Sequence, residues 1–380
     1  MKKYSHKIVL GVVFLALLSC GKGNGNNFNQ LDYNLSFEFS LVIPDHPLST
    51  NMLQAKIVDG KELLFWGDVK RFDRILVYNM EDQKWEDPIQ FELEGPNGIG
   101  KLNGFYVKDQ DSIFTVDSFR WNIHLMDSGK KVATYSVRSG LDPLEIITPF
   151  TTENPISGVA EHNVVYFGFP ELSPFEQDYY TKGRTGALIN LKNGQIKTGG
   201  GYPAQYHGHQ WPGVNTISDR QTVIKNHVAH SFSLSDTVFL YDPEYRLKKK
   251  ILFNSSKKRT TQNFDGQSKE GLSGEKAYFE MLSKGFYSSL ISDEKRGVLY
   301  RTISYSDQDP SSFSNYFDYK LTAKRDLIIY DLDKDELVGE ITFKPGELDE
   351  IPMMFVGEKG LYLSKKRTDR EEVEFYLLSW

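Results

Sequence analysis

A strand that ends in Asp or Asn and turns back into a second strand recurs along the chain, and this repeat limits the fold more than any other feature. It reads Ile75-Leu76-Val77-Tyr78-Asn79 before Glu81-Asp82-Gln83-Lys84, and Ile123-His124-Leu125-Met126-Asp127 before Ser128-Gly129-Lys130. Ala187-Leu188-Ile189-Asn190, Val238-Phe239-Leu240-Tyr241-Asp242 and Leu327-Ile328-Ile329-Tyr330-Asp331 repeat it. β-Rich runs flanking a turn of Asp, Asn, Gly or Pro are hairpin signals. The closing Asp or Asn is expected to accept backbone N–H groups of its turn.

The anchors at 79, 127, 190, 242 and 331 are separated by 48, 63, 52 and 89 residues. A propeller blade takes roughly 40–50 residues, so each shorter interval suits one blade with loop insertions. The last interval holds either a large insertion, the polar stretch Asn254 to Gly274, or an extra blade. A sixth hairpin series closes the chain at Met353 to Val356, Gly360 to Ser364 and Val373 to Ser379, while Leu35 to Ile43 is a strand with no partner nearby. The expected fold is all-β: a single β-propeller of six blades, with seven as the alternative count. Its N-terminal strand completes the last blade and removes an exposed edge. Helical signal is confined to Gly274 to Lys284. A pair of β-sandwiches competes, but no linker after residue 33 parts two domains.

The N-terminus has a different character. Lys2, Lys3 and Lys7 precede an apolar run of 11 residues, Ile8 to Leu18, too short to cross a bilayer as a helix. A basic start, a short apolar core and small residues at its end mark an export signal. Leu17-Leu18-Ser19-Cys20 resembles the lipobox cut by lipoprotein signal peptidase. The resemblance implies cleavage before Cys20 and a lipid on its sulfur. Cys20 is the only cysteine, so no intrachain disulfide or thiolate metal cluster can form. The expected division is therefore 1–19 signal peptide, 20–32 flexible tether and 33–380 propeller. A net charge of −6 argues against a nucleic-acid surface.

The lipobox, the polar tether and the strand–Asp–turn hairpins resemble the Bacteroidota lipoproteins of domain-of-unknown-function family 4221. So does the stretch Tyr287-Ser288-Ser289-Leu290-Ile291-Ser292-Asp293-Glu294-Lys295-Arg296-Gly297-Val298-Leu299-Tyr300-Arg301. The resemblance implies a propeller and an envelope location, with no established activity. Surface-exported members often carry an acidic run after the lipid cysteine. Gly21-Lys22-Gly23 has none, which favours the periplasmic face of the outer membrane.

Candidate ligand-binding residues cluster in Tyr202 to Gly213, where His207, His209 and Trp211 would share one face if the segment were extended. His227 and His230 follow within a short distance. Imidazoles beside an indole suit a polar ligand or a metal, but a Gly/Pro-punctuated loop between blades with partly exposed histidines is the simpler reading, and no metal or cofactor is assigned. Arg301 is the next candidate. A charge in an inner or middle strand needs a carboxylate partner, a polar channel or an inter-blade salt bridge. Phe65-Trp66, Tyr166-Phe167-Gly168-Phe169 and Tyr179-Tyr180 read as core before they read as stacking platforms. Gly199-Gly200-Gly201 lacks the Lys-Ser/Thr of a phosphate loop and reads as a turn. Two functions remain: a membrane-anchored propeller that binds a peptide, glycan or protein partner, or a carbohydrate hydrolase or lyase that uses the histidines.

Overall fold

A computed structural model of the chain describes residues 29–42, 52–68, 70–138, 141–149, 154–174, 176, 178–208, 211, 219–258, 281–315, 318, 322–344, 347–348, 353–366 and 372–380. Cys20, the signal peptide, His209 and the stretch 259–280 lie outside these residues. Of the helical signal at 274–284, residues 281–284 are described and are helical. No described helix is long and apolar enough to cross a membrane.

Six antiparallel sheets of four main strands follow one another along the chain. Blade 1 comprises Leu53–Val58, Lys61–Gly67, Arg74–Asn79 and Lys84–Trp85, with Ile89–Gln90 also on its third strand. Blade 2 comprises Phe105–Val107, Ser112–Asp117, Asn122–Asp127 and Lys130–Ser136. Blade 3 comprises Ile156–Val159, Asn163–Phe167, Gly186–Asn190 and Ile196–Gly199. Blade 4 comprises Asp219–Ile224, His227–Phe232, Thr237–Tyr241 and Leu247–Leu252. Blade 5 comprises Phe286–Asp293, Val298–Tyr305, Lys324–Asp331 and Glu336–Thr342.

Blade 6 takes three strands from the chain's end, Met354–Val356, Leu361–Lys366 and Glu372–Ser379. Its outer strand, Asn34–Val42, comes from the chain's beginning and pairs antiparallel with Glu372–Ser379, placing Phe37 opposite Tyr376. The first strands of the six blades touch in ring order, and the sixth returns to the first. The long interval before Asp331 contains no extra blade among the described residues. It is taken up by connections within and before blade 5.

The apolar core is divided among the blade junctions. Phe39, Leu64, Trp66 and Phe375 pack between blades 6 and 1, and Phe65, Ile75, Phe105 and Met126 between blades 1 and 2. Phe114, Val116, Val164 and Tyr166 fill the next junction, Val165, Leu188 and Val228 the third. Leu240, Phe253, Leu299 and Ile328 join blades 4 and 5, and Tyr300, Ile329, Leu363 and Leu378 join blades 5 and 6. Each fully buried side chain of this kind stabilises the fold by roughly 1.5–3 kcal/mol. Middle strands are buried on both faces, as in Ser112–Asp117, whereas the outer strand Lys130–Ser136 alternates between exposed and covered positions.

The turn residues act as expected in four of the five repeats. Asn79 Oδ1 accepts the N–H groups of Glu81 and Asp82 at 3.1 and 3.0 Å. Asn190, Asp242 and Asp331 make the equivalent pairs of bonds. Asp127 instead accepts the Ser128 hydroxyl at 3.0 Å.

Candidate functional site

Strand order divides the connections between two faces. First-to-second and third-to-fourth strands are joined by tight turns on one face. Second-to-third and blade-to-blade connections start and end on the other, and among them are the long stretches between strands at 171–185, 200–218, 253–285 and 306–323, which are described in part. The tight-turn face is fastened across blades. Lys225 pairs with Asp333, Lys295 Nζ lies 2.6 Å from Glu358, and the Glu358 N–H donates to Glu62 Oε1 at 2.6 Å. The insertion face is where ligand contacts are expected, because loops on a rigid frame commonly carry function.

Between blades 3 and 4 the insertions bring Tyr179, Tyr180, Tyr202, Tyr206, Trp211 and Phe232 into one buried aromatic cluster. Tyr179 and Tyr180 meet edge to face at 4.9 Å, and Tyr206 and Trp211 lie 5.2 Å apart. The Tyr206 hydroxyl accepts the Leu234 N–H at 3.1 Å, tying the insertion to the turn that ends the second strand of blade 4. The Trp211 indole N–H donates to the Tyr206 carbonyl at 3.1 Å. Trp211 is 2% exposed, so it is core and not a stacking platform.

Of the residues expected to share a face if 207–211 were extended, His209 lies outside the described residues. Ala204–Tyr206 forms a 3-10 turn, His207 is exposed with Nε2 3.1 Å from the Tyr202 carbonyl, and Trp211 points inward. His207 and Trp211 thus differ in exposure, one open to solvent and the other in the core.

The other described histidines sit elsewhere. His227 follows a tight turn on the opposite face, with Nδ1 2.8 Å from the Lys225 carbonyl. His230 is fully buried, its Nδ1 3.3 Å from Thr185 Oγ1 and its ring against Tyr241 and Tyr245. No group of three or more His, Cys, Asp or Glu placed to hold a metal occurs among the described residues. Gly199 and Gly186 pair across two strands of blade 3 and form a slot for Tyr245 of blade 4. A Cβ at Gly199 would lie 2.2 Å from the Tyr245 ring, which explains this glycine better than turn formation does.

Arg301 is completely buried between blades 4 and 5. Its Nε donates to Ser231 Oγ at 2.8 Å, Nη1 to the Phe253 carbonyl at 2.6 Å, and Nη2 to the carbonyls of Ser235 and Phe232 at 2.6 and 3.2 Å. The guanidinium lies 3.3 Å from the centre of the Tyr287 ring, and the Tyr287 hydroxyl donates to Asp236 at 2.7 Å. Burial lowers its pKa to about 10, which leaves it charged at neutral pH. The expected carboxylate partner is replaced by carbonyl oxygens and an aromatic face. Arg301 thus closes off the end of one blade against the next.

Sequence reading missed the buried acids of blade 5. Asp326 accepts from Thr342 Oγ1 at 2.9 Å and from the Tyr305 hydroxyl at 3.1 Å. Glu340 accepts from the hydroxyls of Ser255 and Ser256. Their positions on middle and outer strands were the available signal, and 51 acidic residues hid it.

This arrangement defines a six-bladed β-propeller with one face built of long insertions. The chain belongs to the family described as domain of unknown function DUF4221, whose model matches residues 27–333. A crystal structure of a DUF4221 member from Bacteroides vulgatus superposes with a TM-score of 0.70 at 16% identity, covering 92% of this chain and 99% of that one. A protein from Bacteroides fragilis described as a candidate for export gives 0.58 at 10% identity, with 92% and 98% covered. These likenesses bear on the fold alone. No functionally curated protein matches the chain.

Proposed function

We propose that this protein is a lipid-anchored binding or scaffolding propeller of the bacterial envelope, holding a peptide, glycan or protein partner over its insertion face. The observation that carries the reading is the asymmetry of the ring: the long connections lie on one face, while the other is short-turned and fastened by inter-blade pairs.

The N-terminal strand supports an anchor attached at the outer edge of the ring. Asn34 pairs with Ser379 at the tight-turn end of blade 6, and Leu31 N–H donates to the Glu340 carbonyl at 2.9 Å on the rim of blade 5. A lipid on Cys20 would be joined to Asn29 by the eight residues 21–28, a reach of at most about 30 Å. A tether of this length, attached at the edge of the ring, leaves the insertion face open to a partner, in the periplasm if the anchor is in the inner leaflet of the outer membrane. The histidine-based hydrolase is not carried further, because the described histidines do not converge.

The test is site-specific photo-crosslinking in cells, with Gln205 or His207 replaced on the insertion face and Gly129 or Asn193 on the tight-turn face. Adducts are expected from the first pair only, and from a membrane fraction that Cys20→Ser abolishes. Equal adducts from both faces would contradict the binding face, and Cys20→Ser protein still in the membrane fraction would contradict the anchor.

A further inference from the structure

Blades 1 and 2 build their second-to-third turns alike on the insertion face. Asp68 Oδ1 accepts the N–H groups of Lys70 and Arg71 at 3.0 and 3.1 Å, and Asp117 Oδ1 accepts the Phe119 N–H at 3.1 Å. Each turn then presents cations beside aromatic rings: Arg71-Phe72 in one, Phe119-Arg120-Trp121 in the other. Phe72 and Trp121 hold positive φ, 59° and 52°, which bulky residues rarely adopt. Backbone bonds fix both turns, Leu102 N–H to the Phe72 carbonyl and Val137 N–H to the Trp121 carbonyl, each 2.8 Å.

Lys101, from the connection between the blades, joins the two turns. Its Nζ lies 5.5 Å from the centre of the Phe72 ring and 5.1 Å from that of Phe119. No carboxylate lies within ion-pair reach of Lys101 among the described residues. Arg138 covers the Trp121 ring at 4.4 Å. Phe119 is nevertheless 64% exposed, and the side chains of Arg71, Arg120 and Arg138 are at least half exposed. Three acids partly offset this charge: Asp73 faces Arg71 at 3.2 Å, Glu171 faces Arg138 at 3.2 Å, and the buried Asp117 is 3.9 Å from Arg120. An excess of positive charge around exposed rings stands out on a chain of net charge −6.

We infer that the Phe72–Lys101–Phe119 patch binds an acidic glycan, with the Phe119 ring stacking on the apolar face of a sugar and Lys101 with its neighbouring arginines taking the carboxylate or sulfate groups. This rests on the insertion face being the binding face and names the class of partner that one part of it takes. Cations held against rings keep both in place before the ligand arrives, which lowers the ordering cost of binding. A peptide would more commonly use an open sheet edge or a groove, whereas this patch is made of turns.

The experiment titrates the full lipoprotein in neutral detergent with oligogalacturonate, a chondroitin sulfate oligomer, neutral maltooligosaccharide and poly-glutamate. Binding to at least one acidic oligosaccharide is expected at low salt, weakening as salt rises, with none to the neutral sugar. Lys101→Glu should weaken it at least tenfold and Phe119→Ala at least fivefold, with unfolding midpoints unchanged because both side chains are exposed. Failure of both acidic oligosaccharides to bind overturns the inference. So does poly-glutamate binding that matches the glycans and shares their sensitivity to Phe119→Ala. Either result leaves the photo-crosslinking pattern as an independent measure of the face itself.

Discussion

Asp326 shows how a single side chain can set the pH response of the fold. It is fully buried, and burial pushes its carboxyl up to about 6. Thr342, Tyr305 and Lys257 favour the charged form, while Glu340 opposes it. The folded value lies above the usual carboxylate value, so the folded state holds this proton to higher pH than the unfolded chain does. The stability from this group is complete below about pH 4 and is lost as pH rises through about 6. Asp326→Asn removes the titration. Urea midpoints between pH 4 and 7.5 should show the variant gaining on the wild type as pH rises, by about 1–3 kcal/mol at the upper end. Parallel curves would refute the assignment. Arg301 was visible in the sequence as a misplaced charge, but its partners were not: besides the Ser231 hydroxyl they are main-chain oxygens from residues 232, 235 and 253. A carbonyl leaves no mark in a one-letter code.

At the scale of strands and turns the sequence was far more legible, because alternation and turn chemistry are local. Asn79, Asn190, Asp242 and Asp331 were readable as caps for that reason. What could not be read was the seam between blades, where one blade's glycines meet another blade's ring. Gly186 and Gly199 are opposite one another, and Tyr245 lies across both. A methyl group at Gly199 would meet the Tyr245 Cβ and Cγ at 2.5 and 2.2 Å, too close to be relieved by rotating the ring. Gly199→Ala should therefore destabilise the protein by about 1–3 kcal/mol. Adding Tyr245→Ala should cost less in that background than in the wild type. Chemical denaturation of the four proteins in the cycle measures the coupling, and strict additivity would show that the slot is not tight. The described histidines do not converge, for a related reason. Between 207 and 230 the chain passes through a connection and the first strand and turn of blade 4, which puts His207 on the insertion face, His227 by the opposite turn and His230 inside the blade.

For the molecule as a whole, the two ends of the chain meet. An unpartnered strand at residues 35–43 beside a sixth hairpin lacking its outer strand was enough to predict ring closure, since a closed ring leaves neither edge open. The closure also brings the start of the chain to the outer edge of the ring, where a tether would leave it. The most direct measurement is a disulfide across that join: Ser40→Cys with Glu374→Cys, which face each other in the register, in a Cys20→Ser background that carries no other thiol. Directly opposed residues of an antiparallel pair lie within bridging distance. Oxidation should give a monomer with an internal cross-link joining the first and last strands, unfolding at a higher temperature than its reduced form. A chain that stays reduced, or that cross-links only to a second copy, would contradict the closed ring.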